Sequence, residues 1–304
     1  MLSNRKIECP NNLLNLAKMS RPLKAGIVSA GNTLAMESAL EATKMSLIVP
    51  VFIGDKNKIE NEAKKLNWNI SSFEIINEKI NNNTAHHGAK IASENKAQIL
   101  VKGDIHTDIL MKAMLKKNLN LIGSKRLSHL WHMTINPNDK PLFVTDGALN
   151  VTPRIEVKMH ILRNVVDFAI KVGIEEPKVA ILSGTEDPIE SLPSSIEAKL
   201  ITERAIKENI PAKVFGPLAF DNAISLKAAQ LKKIHNEVAG NADVILVPNL
   251  ETGNALVKMM IYLMGACAAG IVVGGKVPIV VTSRADDVNS RLASIAAAII
   301  AAKK

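Results

Sequence analysis

Hydrophobic positions form short, nearly continuous runs that alternate with segments of helical periodicity along most of the chain. Apolar runs at residues 47–53, 178–182 and 244–247 are each followed by a segment in which apolar residues recur every three or four positions. Continuous apolar strands are typical of parallel sheets covered on both faces, and their alternation with helices is typical of βαβ units. The pattern therefore predicts an α/β fold built on parallel strands.

The alternation is interrupted in the middle of the chain. Residues 127–134 and 141–145 both have the pattern of short strands, and no helical segment separates them, which predicts an antiparallel pair. A long helix follows over residues 153–172, after which strands and helices alternate again. Helices are also predicted over residues 11–18 and 220–234, and a turn is predicted at Asp146 and Gly147. We therefore place a domain boundary near residue 148.

This boundary predicts two domains. Residues 1–148 form a first α/β domain, and residues 149–286 form a second one that carries most of the polar loops described below. The closing segment, 287–304, is rich in alanine and isoleucine, which is typical of a buried helix. We expect this helix to pack back on the first domain.

A net charge of +9 raises the question of a nucleic-acid partner. The lysines are spread over many segments, and aromatic residues make up only 3% of the chain, too few for a base-stacking surface. Solvated helix faces account for most of this charge, which also attracts small anions such as phosphates. We therefore expect no nucleic-acid partner.

Neither a membrane span nor a secretory signal is visible in the sequence. No apolar run reaches the length of a span without a charge, and no apolar segment follows Arg5 and Lys6 near the N-terminus. Cys9 and Cys267 lie far apart and lack the spacing of a metal site or a redox pair. We expect a cytoplasmic protein without a membrane partner, in which both cysteines are packing thiols.

Small and polar residues follow the apolar run 244–247. A proline ends the run, and Asn249, Gly253 and Asn254 precede a helix that we expect to begin at Ala255. Ligands bind beyond the carboxyl ends of strands in open α/β sheets, Gly253 permits a close approach, and Asn254 can cap the helix. An ordinary capped turn explains this loop equally well.

A second polar cluster follows the strand predicted at residues 278–281. It consists of Thr282, Ser283, Arg284 and Asp286. Arginine is suited to bidentate contact with phosphate, serine can donate to an oxyanion, and aspartate can accept a proton. The alternative is a helix N-cap beside a surface arginine, which the spacing alone favours.

The third cluster follows the strand predicted at residues 98–101. Lys102 lies at the strand end, Thr107 belongs to the start of the next helix, and Lys112 lies further along that helix. A capped helix with a solvated lysine is the local explanation. Together the three loops predict a polar rim suited to anions, and the residues alone lead to a site for a phosphorylated ligand and no further.

Common phosphate and metal motifs are absent from the sequence. Neither GxxxxGK[ST] nor GxGxxG after a strand occurs. The paired histidines have no carboxylate at metalloenzyme spacing: His86, His87, His129 and His132. We expect no bound metal.

Seven segments, in order, resemble the phosphate acetyl/butyryltransferase family over nearly the full length. They are IVPVFIGDKNKI, LVKGDIHTDILMKAML, KPLFVTDGALNV, GIEEPKVAILS, GPLAFDNAIS, ADVILVPNLETGN and AAGIVVGGKVPIVVTSRAD. The resemblance implies two α/β/α domains with a cleft between them, in the architecture of isocitrate and isopropylmalate dehydrogenases. It also implies a cytoplasmic homodimer that reversibly transfers a short acyl group between coenzyme A and inorganic phosphate.

The implied chemistry needs no cofactor, since coenzyme A is a substrate and the acyl phosphate is a product. Acetyl is preferred over butyryl, although no residue lining an acyl pocket is identified. The resemblance assigns the oxyanion or thioester contact to Ser283 and the phosphate contact to Arg284. The further substrate-binding candidates are Thr107, Lys112, Asn249, Gly253, Asn254 and Thr282.

This sequence departs from the family pattern at three positions. The catalytic aspartate of the acetyltransferase branch corresponds to Ser290, so Asp286 is our candidate base, with Asp287 behind it. A family arginine corresponds to Lys112, and a family aspartate corresponds to Asn249. These departures bear on phosphate affinity and efficiency more than on the class of reaction.

Two other functions compete with acyl transfer. A metal- and NAD-dependent dehydrogenase of the same architecture would respond to magnesium and NAD. A basic nucleic-acid-binding protein would show affinity for DNA that falls steeply with salt. The scattered lysines argue against the second of these.

Overall fold

The computed structural model describes residues 1–282 and 286–303, and the chain divides into two compact units. Unit 1 comprises Met1–Arg5, Leu127–Ile135 and Asp139–Ala266. Unit 2 comprises Lys6–Arg126, Asn136–Asn138 and Cys267–Lys304. Within the described ranges, no helix combines the length and the apolar composition that crossing a bilayer requires.

The elements of unit 2 are α1 (Asn11–Lys18), β1 (Leu23–Val28), α2 (Thr33–Lys44), β2 (Ile48–Gly54), α3 (Lys56–Lys65), β3 (Glu74–Asn77), α4 (Asn81–Ser93), β4 (Ile99–Lys102), α5 (Thr107–Met114), a 3₁₀ turn (Lys117–Leu119), β10 (Cys267–Val273), β11 (Ile279–Val280) and α11 (Val288–Ala301). Its strands form a mostly parallel sheet in the order β3-β2-β1-β4-β11-β10. Among these described strands, only β10 runs antiparallel to its neighbour β11. β2 and β3 lie on one side of β1, whereas β4, β11 and β10 lie on its other side. The strand order therefore reverses between β1 and β4, and open α/β sheets bind ligands at such a point.

The elements of unit 1 are β5 (Ser128–Thr134), β6 (Leu142–Thr145), α6 (Ile155–Lys171), β7 (Lys178–Leu182), α7 (Pro193–Lys207), β8 (Lys213–Leu218), α8 (Phe220–Ile224), α9 (Leu226–Leu231), β9 (Val244–Leu246) and α10 (Leu250–Met264). Its strands form a second sheet region in the order β5-β6-β9-β7-β8. β5 and β6 form the expected antiparallel pair, whereas β6, β9, β7 and β8 run parallel. The α/β class is thereby confirmed.

The division between the units differs from the boundary that we placed near residue 148. The chain passes from unit 2 to unit 1 between Arg126 and Leu127, because β5 pairs with β6 and β6 pairs in turn with β9. The antiparallel pair thus belongs to the later strands rather than to the earlier ones. Helix α11 belongs to unit 2, where it packs on β10, α1 and α2 and is buried along nearly its whole length.

Two helices differ from the sequence prediction. The helix expected to begin at Ala255 begins at Leu250, because Asn249 rather than Asn254 is its N-cap. The helix expected over residues 220–234 is interrupted at Ser225, whose backbone is extended (φ −119°, ψ 110°) and whose hydroxyl accepts a hydrogen bond from the Ala228 amide. Serine and asparagine favour such caps because their side chains compete for backbone hydrogen bonds.

Candidate functional site

Two of the three predicted loops lie side by side at the carboxyl edge of the unit 2 sheet. β4 lies between β1 and β11 and is parallel to both, with Lys102 beside Val28 and Val101 beside Val280. The loop after β4, which leads to Thr107, is therefore next to the end of β11, which leads to Thr282. The third loop, which follows β9, belongs to unit 1.

Close backbone packing fixes the loop after β4 against the end of β1. A Cβ atom on Gly103 would lie 2.3 Å from the Ser29 carbonyl oxygen, so this position accepts only glycine without a shift of the main chain. The Ser29 hydroxyl donates to the carbonyl oxygen of Asp104 at 3.2 Å and to Oδ1 of Asn81 at 3.0 Å. Lys102, at the end of β4, is buried.

A polar cavity of about 320 Å³ adjoins this edge, beyond the ends of β1, β2 and β3. It is lined by Ser29, Ala30, Gly31, Asn32, Gly54, Asp55, Lys58, Glu78, Lys79, Asn81, Thr84 and Asp104. Helices α2 and α3 start at its wall, and their N-caps Asn32 and Asp55 already accept amide hydrogen bonds. Hydrogen bonds from neighbouring amides, led by that of Ile80, lower the pKa of Glu78. The cavity thus offers polar groups of both charges to a small ligand.

Thr107 and Lys112 lie on α5, which follows this edge. Thr107 is its first residue and is half-buried. Lys112 is exposed, and its ammonium group lies 3.1 Å from the Asp108 carboxylate one turn earlier. The hydrogen bond from Lys112 lowers the pKa of Asp108. Because exposed pairs of this kind contribute little to stability, an anion can displace Asp108 from Lys112 at little cost.

Of the four residues in the second predicted polar cluster, two lie in a short undescribed segment and two flank it. Ser283 and Arg284 lie outside the described residues. Thr282, just before them, is buried, and its hydroxyl has no hydrogen-bond partner within residues 1–282 and 286–303. Asp286, just after them, is also buried. A hydroxyl and a carboxylate withdrawn from bulk water therefore stand on either side of the Ser-Arg pair in the sequence.

Asp287 and Ser290 have contacts that give them structural roles at the start of α11 and beside Cys267. Oδ1 of Asp287 accepts the Ser290 amide hydrogen bond at 2.8 Å, which makes Asp287 the N-cap of α11. The Ser290 hydroxyl lies 3.8 Å from Sγ of Cys267. Burial raises the pKa of the Cys267 thiol to about 12 and also raises the pKa of Cys9, so both remain protonated, poorly nucleophilic thiols.

The loop after β9 is a helix start held by contacts within unit 1. Oδ1 of Asn249 accepts from the Thr252 amide at 2.9 Å and from the Thr252 hydroxyl at 2.7 Å. Gly253 is packed so closely that a Cβ atom there would lie 2.9 Å from Cα of Gly147, and Nδ2 of Asn254 donates to the Gly147 carbonyl at 3.4 Å. These contacts support the capped-turn interpretation of the loop.

Asp146 is a buried carboxylate that the sequence patterns presented only as part of a turn. Its Oδ2 accepts from the His129 amide at 2.9 Å and from Nδ2 of Asn150 at 2.7 Å, and its Oδ1 accepts from the amides of Ala148 and Leu149. Four donors satisfy one carboxylate, which ties β5 to the loop after β6.

Arg291 is the second charged residue that sequence reasoning missed. It lies on α11 and is only 6% exposed. A charged residue inside an otherwise apolar helical stretch was the available signal, because arginine is almost never buried unless it is paired.

Within the described part of the chain, no group of three or more His, Cys, Asp or Glu side chains is arranged to hold a metal ion.

Comparison with known proteins assigns the family. The family described as "Phosphate acetyl/butaryl transferase" matches residues 73–301 of this chain. The chain belongs to this family. The phosphate acetyltransferase of Rhizobium meliloti is 38% identical over 97% of the chain and 94% of the relative. The phosphate butyryltransferase of Clostridium acetobutylicum is 33% identical over 97% of the chain and 98% of the relative.

Solved structures agree with this assignment. A branched-chain phosphotransacylase from Enterococcus faecalis V583 is 30% identical and superposes with a TM-score of 0.81, over 92% of this chain and 99% of that one. A 4-hydroxythreonine-4-phosphate dehydrogenase from Klebsiella pneumoniae has a TM-score of 0.56 at 11% identity, over 93% of this chain and 100% of that one. At that identity the likeness concerns the fold alone, and it confirms the expected dehydrogenase-like architecture.

Proposed function

We propose that this member of the family reversibly transfers a short acyl group between coenzyme A and inorganic phosphate. The observation that carries the proposal is its similarity, over nearly the whole chain, to both a phosphate acetyltransferase and a phosphate butyryltransferase. The polar edge of the unit 2 sheet supports it, because polar loops and a polar cavity adjoin the ends of β1 and β4. Acetyl is the first acyl group to test, since the acetyltransferase relative is the more similar of the two.

The reaction balances as a direct displacement at the acyl carbon. A phosphate oxygen bonds to the thioester carbonyl carbon, the carbon–sulfur bond breaks, and the departing thiolate of coenzyme A takes up the proton that phosphate gives up. In the reverse direction a base removes the thiol proton, the thiolate attacks the carbonyl carbon of the acyl phosphate, and the carbon–oxygen bond to phosphate breaks, so that phosphate leaves and takes up a proton. Both acyl compounds are already activated, so we propose that no metal, redox cofactor or covalent enzyme intermediate takes part.

Each proposed residue role answers one requirement of this displacement. Arg284 holds phosphate in the bidentate manner for which guanidinium is suited, and Ser283 donates to the oxyanion of the tetrahedral intermediate. Asp286 accepts the thiol proton. Its burial supports this role, because bulk water is kept away from the carboxylate.

Further substrate contacts are proposed within each unit. Lys112 attracts phosphate as a point charge, and Thr107 and Thr282 supply hydroxyl donors near the same sheet edge. Asn249, Gly253 and Asn254 were predicted as substrate-binding residues. Because their side chains or close packing serve the start of α10, we propose that this loop acts through its shape rather than through direct hydrogen bonds.

We also propose a cytoplasmic homodimer that binds neither nucleic acid nor membrane. One feature of unit 1 supports the dimer: α10 leaves a row of large apolar side chains exposed by about two-fifths, namely Met259, Tyr262, Leu263 and Met264. Helix faces of this kind are commonly covered by a protein partner. A cytoplasmic place suits an acyl-CoA substrate and two unpaired, buried cysteines.

Substitution of Arg284 and Asp286 tests the proposed roles. We expect Arg284→Ala and Asp286→Asn each to lower phosphate-dependent acyl transfer by about 10²-fold or more, because each removes a group used in the transition state. Asp287→Asn is the matched control, since asparagine also caps helices and the α11 N-cap is preserved. Full activity in Asp286→Asn, with activity lost in Asp287→Asn, would move the base to Asp287.

A further inference from the structure

Arg291 carries a charge into the interior of unit 2. It lies in the first turns of α11, a helix whose buried residues are otherwise mostly alanine, isoleucine, leucine and serine. Burial lowers the pKa of its guanidinium, and the nearby carboxylates of Asp286 and Asp287 act in the opposite direction. A buried charge is costly unless hydrogen bonds and opposite charges compensate it. The position of Arg291 therefore calls for an explanation beyond packing.

The contacts of Arg291 point towards the proposed catalytic segment. Its Nε donates a hydrogen bond to the main-chain carbonyl oxygen of Asp286 at 3.2 Å. Asp287, the next residue, is fixed by capping α11 through the Ser290 amide. The side chain thus reaches back from the helix to the chain just before the helix begins. Asp286 lies two residues after Arg284 in the sequence.

We propose that Arg291 is a positioning residue for acyl transfer, which holds Asp286 in place. This inference rests on the proposed function. Arg291 acts by fixing the main chain of Asp286 and by placing a cation near the Asp286 carboxylate. Misplacement of a reacting group by about 1 Å can cost about 10²-fold in rate, so such a support has a large effect on turnover.

Arginine suits this task better than lysine does. A guanidinium presents five donors in a rigid plane, so one donor can hold the Asp286 carbonyl while others remain for neighbouring acceptors. A lysine at this position keeps the charge but donates from a single flexible centre. Arg291→Lys should therefore retain only part of the positioning function. Arg291→Met, in which methionine fills similar space without a charge, should retain little of it.

Three variants separate positioning from simple stabilisation. Arg291→Met removes charge and hydrogen bonds, and Arg291→Lys keeps the charge. Ser294→Ala is the structural control: Ser294 is also buried on α11, and its hydroxyl accepts from the Gly270 amide at 2.9 Å and donates to the Ser290 carbonyl at 2.8 Å. It has no role in the proposed chemistry. Each purified variant is assayed for kcat and KM and for cooperative thermal unfolding.

We expect Arg291→Met to lower kcat more than tenfold while KM for acyl-CoA changes less than threefold. The fall in the logarithm of kcat should be smaller in Arg291→Lys than in Arg291→Met by at least a third. Ser294→Ala should lower the melting temperature and leave kcat within twofold. Hydrogen exchange of residues 281–290, which needs no turnover, should speed up at least tenfold in Arg291→Met and less in the other two variants.

The outcomes keep this inference apart from the proposed function. An inactive wild type overturns the proposed function, and faster exchange confined to Arg291→Met then still identifies Arg291 as the support of Asp286. An active wild type with kcat unchanged in Arg291→Met overturns the positioning role. So does unchanged exchange of residues 281–290, or a loss of kcat in Ser294→Ala equal to that in Arg291→Met. If Arg291→Met does not fold, the same comparisons are decided on Arg291→Lys against Ser294→Ala.

Discussion

At the scale of single residues, His132 links burial to the pH dependence of stability. The side chain lies on β5 against the ring of Phe143, and its Nδ1 has no hydrogen-bond partner among the residues described. Burial lowers the pKa of His132 to about 4. The unfolded chain, with an ordinary histidine pKa near 6.5, therefore binds a proton between pH 6.5 and pH 4 that the folded protein does not.

The free energy of unfolding should accordingly fall as the pH drops through this window, by up to about 3 kcal/mol from this one group. Urea unfolding of the wild type and of His132→Leu at several pH values between 4 and 7 measures the effect. We expect the slope to be shallower in His132→Leu. His235→Gln, an exposed histidine, is the matched control and should keep the wild-type slope. Equal slopes in all three proteins would contradict the assignment.

The candidate residues were predictable from the sequence to different degrees. Thr282 and Asp286 were selected because they follow a predicted strand; in the structure Thr282 lies two residues after β11, and Asp286 lies two residues before α11. Asp146 and Arg291 were not found, because their importance depends on burial and on partners that are distant or concealed in an ordinary turn. Local pattern identifies where a loop lies but not which of its side chains is enclosed.

At the scale of elements, the start of α10 shows how closely two segments of main chain meet. A Cβ atom on Gly253 would lie 2.9 Å from Cα of Gly147 and 3.0 Å from a methyl carbon of Val247. Because the nearest obstacle is main chain, a larger residue must push α10 away from the loop after β6. We expect Gly253→Ala to destabilise the protein by about 1–3 kcal/mol, the usual cost of overpacking.

Thermal or urea unfolding of Gly253→Ala checks this expectation. Gly123→Ala is the matched control, since a Cβ atom there would meet no atom within 4 Å, and we expect its stability to stay near that of the wild type. A Gly253→Ala protein as stable as Gly123→Ala would show that α10 starts differently.

Element boundaries followed the sequence where hydrophobic runs were long. β7 lies at Lys178–Leu182 and α1 at Asn11–Lys18, both as predicted. The errors occurred where polar residues gave two readings. Asn249 and Asn254 are both plausible caps, and the hydrogen bond that the Asn249 side chain accepts from the Thr252 amide identifies Asn249 as the cap. Ser225 likewise caps α9 in the middle of an apparently continuous helical pattern.

At the scale of the whole molecule, the exposed apolar side of α10 bears on the proposed homodimer. Replacing both Met259 and Leu263 with glutamate would place two charges on this surface, where an interface would bury them at a cost of several kcal/mol. We expect the double variant to be monomeric by analytical ultracentrifugation. Ile206→Glu, on the exposed side of α7, is the control and should leave the assembly unchanged. A double variant that keeps the wild-type assembly would place the interface elsewhere.

The units of the fold were the least predictable feature at this scale. The boundary near residue 148 was inferred from a change in the alternation of strands and helices. Assignment of β5 and β6 to unit 1 depends instead on which strands pair, and β6 pairs with β9, about one hundred residues later in the sequence. Pairing over such a distance leaves no local pattern that a reading of hydrophobic positions can detect.

The central claim, acyl transfer between coenzyme A and phosphate, is tested most directly by thiol release. Purified protein is incubated with acetyl-CoA or butyryl-CoA, with and without inorganic phosphate, and free coenzyme A is titrated with a thiol reagent. We predict release that requires phosphate, produces acyl phosphate in equal amount, and persists in a metal chelator. Absence of phosphate-dependent release from either thioester would contradict the account.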